Sequence, residues 1–217
     1  IQNIIHASIE KKVRHVLFTS SDKAVNPSNI MGTTKLLSEK IISQANEFLY
    51  NEKTIFSSVR FGNILGSSGS VLPLFLDQIS AGQKLTVTHE EMNRYILTEK
   101  EVVDLVFNSL SVCQGSEIFV PKIPSMKTTD LVTALAPAVK QVTTGIRPGE
   151  KIHETMITVD DARNTIDMGD RYIIYPAFGS SPEHKGKPVA DGFSYASDSN
   201  PEQVSPKLLL IIIKMFE

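Results

Sequence analysis

Helical and strand periods alternate along the first half of this chain, and that alternation restricts the fold more than any other feature. Ile1, Ile4, Ile5, Ala7 and Ile9 crowd one broad face with polar Gln2, Asn3 and His6 between them, which predicts a helix through residue 9. Lys11 and Lys12 close it, as cations suit a helix C-terminus. Val16-Leu17-Phe18 follows at once, bounded by Thr19-Ser20-Ser21, and reads as a short buried strand of a parallel sheet. Asn26-Pro27-Ser28-Asn29 is a turn and cap cluster. Behind it Leu37, Ile41, Ala45, Phe48 and Leu49 recur at helical spacing, predicting a helix over 31–50. The rhythm continues with a β-branched strand over 54–61, a glycine-punctuated turn and a helix over 71–79. A brief strand at 85–88, a helix opening at Thr98, a strand at 117–120 and a helix over 128–139 interrupted by Pro137 complete it.

This order predicts an α/β class fold, doubly wound, followed by a smaller irregular lobe. Beyond Gly145 the chain is rich in Pro, Gly and Ser up to Ser205 and reads as looser. The apolar run Leu208–Ile213 is far too short to span a bilayer and is expected to pack on the second lobe. Only about three strands belong to the first part, and no G-x-G-x-x-G follows an opening strand. The glycines between Gly62 and Gly69 have the wrong spacing for that motif.

Composition narrows the function. The chain has 217 residues, of which 41% are hydrophobic, enough for a real core. Its 22 basic and 24 acidic residues leave a formal net charge of −2, so no basic face is obliged to seek nucleic acid or an anionic membrane. A lone Cys113 makes no intramolecular disulfide, and no C-x-x-C or H-E-x-x-H offers a metal site. The cytoplasm is the expected compartment.

Ser21-Asp22-Lys23 falls at the carboxyl end of the first strand, where open α/β sheets bind ligands, although a solvated turn would have the same composition. Met31-Gly32-Thr33-Thr34-Lys35 opens the long helix, and Lys35 taken alone suits a polar helix face equally well. Together, the run from Ser21 to Lys35 closely resembles the active-site stretch of the UDP-N-acetylglucosamine 4,6-dehydratases. These are CapD-like polysaccharide-biosynthesis proteins of the extended short-chain dehydrogenase/reductase superfamily. The resemblance continues through Arg60-Phe61-Gly62-Asn63-Ile64-Leu65-Gly66-Ser67-Ser68-Gly69-Ser70-Val71, Met92-Asn93-Arg94-Tyr95 and Gly145-Ile146-Arg147-Pro148-Gly149-Glu150-Lys151.

The resemblance implies the C-terminal part of a doubly wound Rossmann-type parallel sheet plus a smaller irregular α/β substrate lobe. Residues 1–113 are then the second half of an NAD-binding domain whose Gly-rich half is missing, and residues 114–217 a nucleotide-sugar-binding lobe. It implies NAD as cofactor, a UDP-sugar as substrate and a homo-oligomer for the full-length enzyme. Lys23 would be the base that takes the sugar carbon 5 proton, and Asp22 the acid that helps the carbon 6 hydroxyl leave. Each needs its less common form, a neutral amine and a protonated carboxyl, which desolvation favours and mutual attraction opposes. Ser21 belongs to the same catalytic stretch. Lys35 would clamp the nicotinamide ribose, with Ser20 beside the cofactor. Met31 occupies the slot of the superfamily tyrosine; a thioether has no proton to exchange, so it cannot be the carbon 4 base. The methionine form is associated with retention at carbon 5, and the tyrosine form with inversion. Asn63, Arg94 and Arg147 would meet the substrate diphosphate, and Glu150 the nucleoside end. An inverting dehydratase, a related epimerase and a non-catalytic nucleotide-sugar-binding module are the competing readings.

Because no pyrophosphate cradle exists among these residues, the 217-residue chain by itself is expected neither to retain NAD through desalting nor to form a keto sugar from UDP-N-acetylglucosamine. Spectrophotometry of the desalted protein and a keto-sugar assay check both.

Overall fold

The structure is a computed structural model and describes residues 1–48, 53–177 and 183–213. The chain folds into two compact units that interleave in sequence. The first holds Ile1–Phe61, Val102–Lys122 and Thr155–Tyr195, and the second Gly62–Glu101, Ile123–Glu154 and Ala196–Glu217. A single cut after residue 113 does not follow these units. Strand Ile118–Pro121 lies past that cut yet pairs with Ile55–Phe61 in the first unit's sheet.

In the first unit, helix Gln2–Glu10 leads into strand His15–Ser21, which pairs in parallel with Ile55–Phe61 from His15↔Ile55 to Ser21↔Phe61. Ile118–Pro121 adds a third parallel strand, which accounts for the three expected from the sequence. The sheet then turns antiparallel through Arg171–Ile174, Thr165–Asp167 and Lys187–Pro188. Those three strands lie in the region expected to be loose. They are only two to four residues long, too short to show a period, and it is pairing with the strand before them that makes them strands. Val59, Phe119, Leu105, Cys113, Ile166 and Ile173 bury one apolar cluster of this unit, and Ile5, Ile42, Ala45 and Phe56 another.

The long helix runs from Ile30 to Phe48; Leu49 and Tyr50, expected to extend it, lie outside the described residues. Its position is fixed by a buried ion pair. Arg60 on strand Ile55–Phe61 grips Glu39 with both arms of its guanidinium, Nε to Oε1 at 3.0 Å and Nη2 to Oε2 at 2.7 Å. Nη1 donates to the carbonyl of Met156 and lies 3.6 Å from Asp161. Burial pulls the guanidinium pKa down, but the carboxylates of Glu39 and Asp161 together more than offset that, holding Arg60 above its ordinary value.

In the second unit, Asn63–Ile64, Asn93–Leu97 and Ser125–Lys127 form a small mixed sheet, with Leu85–Val87 paired to Gln141–Thr143 nearby. Strand Asn93–Leu97 is buried throughout, although polar Asn93 and Arg94 hide it from a periodicity reading. The helix expected over 128–139 stops at Leu135, because Ala136 precedes Pro137 and is forced out of the helical region to φ −151°. Helix Pro206–Ile213 packs as expected: Leu209 and Ile213 join the cluster of Leu65, Leu72, Phe75 and Leu131.

Truncating one member of a buried ion pair strands its partner's charge. Glu39→Ala is therefore expected to cost about 3–5 kcal/mol in urea unfolding, and Glu39→Leu combined with Arg60→Met much less than the two single changes summed.

Candidate functional site

The chemistry-bearing residues of the first unit gather where strand His15–Ser21 ends. Ser21 is still extended, and its Oγ accepts from the Lys23 amide at 3.2 Å, capping a single 3-10 turn over Asp22–Ala24. The same hydroxyl donates to Asp22 Oδ1 at 2.6 Å, and Lys23 Nζ donates to that oxygen at 2.9 Å. The Asp22 side chain is 0% exposed and that of Lys23 33%. Asp22 Oδ2 and Ser20 Oγ are both buried with no hydrogen-bond partner among the described residues. One carboxylate oxygen thus holds two donors while the other holds none. The arrangement couples a hydroxyl, a buried carboxyl and a half-open amine within single hydrogen bonds of one another.

The long helix is docked against this turn. Asn29 caps it by accepting the Gly32 amide on its side chain at 2.9 Å. Gly32 itself has no alternative, because a Cβ there would fall 2.3 Å from the Lys23 carbonyl oxygen. This close approach brings the first helical turn onto the Ser21–Lys23 segment. Met31, one residue earlier, is 49% exposed. Lys35, one turn further, reaches back so that Nζ donates to the Thr19 carbonyl at 2.9 Å and lies 4.9 Å from the Phe18 ring centre. Ser20, Ser21, Asp22, Lys23 and Lys35 therefore share one end of one strand, with Met31 on the turn between.

Asn63, Arg94, Arg147 and Glu150 all belong to the second unit. Asn63 is half-buried in a two-residue strand paired to Ile96. Arg147-Pro148-Gly149-Glu150 is a tight turn. The Glu150 amide donates to the Arg147 carbonyl at 3.0 Å, and the Glu150 carboxylate accepts the Arg147 amide at 3.2 Å. Pro148 sets the second position and Gly149 supplies the φ of +78° that the third requires. The Arg147 side chain is exposed at the tip. Arg94 differs from the expected open fork: it is 9% exposed, and its guanidinium is occupied by the chain's own carbonyls.

Residues 1–176 match the family model described as polysaccharide biosynthesis protein. The UDP-N-acetylglucosamine 4,6-dehydratase (inverting) of Campylobacter jejuni strain 81-176 is 42% identical over the whole of this chain, which spans 68% of that enzyme. The chain belongs to this family, and within it to the nucleotide-sugar 4,6-dehydratases. Among solved structures, Pen from Bacillus thuringiensis aligns with a TM-score of 0.87 at 36% identity, covering 99% of this chain and 66% of its own. A dTDP-glucose 4,6-dehydratase from Streptomyces venezuelae, solved with NAD and TYD bound, shares the fold at a TM-score of 0.59 and 16% identity. It covers 70% of this chain and 53% of its own. The α/β Rossmann-type reading of the sequence agrees with both.

Two residues that position the site escaped the sequence reading. Glu39 lies one turn beyond Lys35 on the same helix face, and Arg60 is a charge set between apolar Val59 and Phe61 in a strand. A charge in a strand that is otherwise buried calls for a partner, and that was the available signal. No group of three or more His, Cys, Asp or Glu among the described residues is placed to hold a metal.

Gly32→Ala is expected to destabilise the protein by about 1–3 kcal/mol, because the helix must back away from the Lys23 carbonyl. A thermal melt against wild type measures this, and an unchanged melting temperature would count against the close approach.

Proposed function

We propose that this chain carries the proton-handling and substrate-side residues of a configuration-retaining UDP-N-acetylglucosamine 4,6-dehydratase serving surface-polysaccharide synthesis. The observation behind the reading is the fully buried Asp22 carboxyl, bonded to Lys23 Nζ at 2.9 Å where a parallel strand ends.

NAD, when bound, supplies a hydride acceptor at sugar carbon 4 and returns that hydride to carbon 6. The residues present suit its nicotinamide-ribose end: Lys35 Nζ has donors beyond the bond to Thr19, and the Ser20 hydroxyl is buried with no partner among the described residues. No G-x-G-x-x-G occurs in the sequence to cradle the pyrophosphate.

Every proton step then falls to Asp22 and Lys23. Asp22 takes the carbon 4 hydroxyl proton as the ketone forms, a task the Met31 thioether cannot perform. The ketone acidifies carbon 5, and neutral Lys23 removes its proton. Asp22 delivers its proton to the carbon 6 hydroxyl, which departs as water. Lys23 then hands a proton back to carbon 5. Both groups end as they began and the sugar has lost one water. One lysine serving one face of carbon 5 in both directions gives retention. Arg147 meets the diphosphate from the exposed tip of its turn, Glu150 orients the nucleoside end, and Asn63 contacts the substrate nearby.

The second reading, inversion at carbon 5, is favoured by the name of the Campylobacter relative. The test joins this chain behind the preceding third of that enzyme and supplies UDP-N-acetylglucosamine in ordinary and heavy water. A 4-keto-6-deoxy product with its original configuration and solvent label at carbon 5 is expected, with product formation reduced at least ~100-fold in Lys23→Ala. An inverted product overturns the retaining assignment, and full activity in Lys23→Ala overturns the base.

A further inference from the structure

Arg94 is a charge buried deep in the second unit. Nη1 donates to the Asn93 carbonyl at 2.7 Å and to the Ile152 carbonyl at 2.9 Å, and Nη2 donates to the Lys151 carbonyl at 2.8 Å. Nε faces Glu154 Oε1 at 4.0 Å. Three of its five N–H donors are thus spent on backbone oxygens, two of them in the segment directly after the Arg147–Glu150 turn. The Asn93 amide adds a backbone bond to Ile152 at 3.1 Å, and the Asn93 side chain lies 3.3 Å from His153 Nδ1. From the other side, Ser197 Oγ accepts the Glu154 amide at 2.9 Å. Residues 151–154 are therefore strapped down by groups from two distant parts of the chain, while the turn they anchor is closed by the hydrogen bonds between Arg147 and Glu150.

A guanidinium committed in this way does not read a ligand. We infer that Arg94 is a positioning residue: it fixes the Lys151–Glu154 strap and so holds the Arg147–Glu150 turn in register for a nucleoside diphosphate. The inference rests on the reading of that turn as the nucleotide contact. Its consequence is specific. A residue that touches the diphosphate affects UDP and spares uridine, whereas a residue that sets the whole turn affects both equally, since Glu150 and Arg147 move together.

UDP and uridine are titrated separately by NMR against the 217-residue chain and its variants, at a temperature where each is folded by circular dichroism. Arg94→Gln is expected to weaken UDP and uridine by the same factor, about tenfold, the equivalent of one net hydrogen bond. Arg147→Ala is expected to weaken UDP alone. Ser197→Ala, which loosens the strap without touching any charge, is expected to weaken both ligands equally and keeps the test open should Arg94→Gln fail to fold. A selective loss of UDP in Arg94→Gln would make Arg94 a direct diphosphate contact and overturn the proposal. Unchanged affinities in Arg94→Gln, or in Ser197→Ala where only that variant folds, would overturn it too. If wild type binds neither ligand, or Arg147→Ala binds both normally, the reading of the turn itself has failed, and with it the proposal.

Discussion

The bidentate contact between Arg60 and Glu39 sets the geometry around the strand end of the first unit. Both groups are almost completely removed from water, so neither tolerates the loss of the other. Glu39 lies four residues beyond Lys35, on the same face of the long helix. Gripping Glu39 from the neighbouring strand therefore fixes the rotation of that helix about its own axis. With the rotation fixed, Lys35 reaches the carbonyl of Thr19, and the helix start meets the Lys23 carbonyl across a glycine. A hydrophobic contact would hold the helix against the sheet equally well, but apolar packing is non-directional and would leave the rotation loose. A planar fork on a carboxylate permits one orientation.

The same logic recurs in the second unit with a different acceptor. There a buried arginine faces backbone carbonyls instead of a carboxylate, and what it orders is an irregular strap, not a helix. Irregular segments lack ladder bonds of their own, so their carbonyls need outside donors if they are to be buried. Arg94 supplies two such bonds from one side chain, to Lys151 and Ile152. The cost of burying its charge is offset in part by Glu154 and by the partial negative charge of the oxygens it meets.

The longer helices and strands up to Ser80 were legible from sequence because each shows a recognisable helical or strand pattern. Asn29 marked the start of the long helix by capping it, whereas Pro137, read as an interruption within 128–139, ends its helix at Leu135 for a local steric reason. Strand Asn93–Leu97 was not legible. Arg94 is buried there because much of what satisfies it sits nearly sixty residues downstream, and the Lys151 and Ile152 partners are carbonyls, which every residue has and no sequence pattern advertises. The antiparallel strands at Thr165–Asp167 and Arg171–Ile174 failed for a related reason: three or four residues carry no measurable period, and the edge they extend was built elsewhere in the chain. In the site, Ser21, Asp22 and Lys23 are contiguous in sequence and stay together at the strand end, whereas Arg147-Pro148-Gly149-Glu150 was marked by resemblance alone and its closure as a turn was not read from the sequence. The orientation of Arg94 was not legible either, since a guanidinium is equally suited to phosphate and to carbonyl.

The bland account of Asp22 and Lys23 is a hydrated bend after a strand, and burial separates it from the proton-handling account. A bend of that kind exposes its carboxylate, because water solvates the charge at no cost. Asp22 has no exposed surface, and one of its oxygens is buried without a donor among the described residues. Leaving a carboxyl oxygen in that condition costs free energy that a surface turn would avoid at once by rotating the side chain outward. What prevents rotation is the pair of donors on the other oxygen, from Ser21 and Lys23. The fold thus keeps Asp22 where its second oxygen lacks a donor among the described residues, with Lys23 one hydrogen bond away and only partly withdrawn from solvent. Polar groups kept unsatisfied at such a cost are found where a ligand or a moving proton completes them.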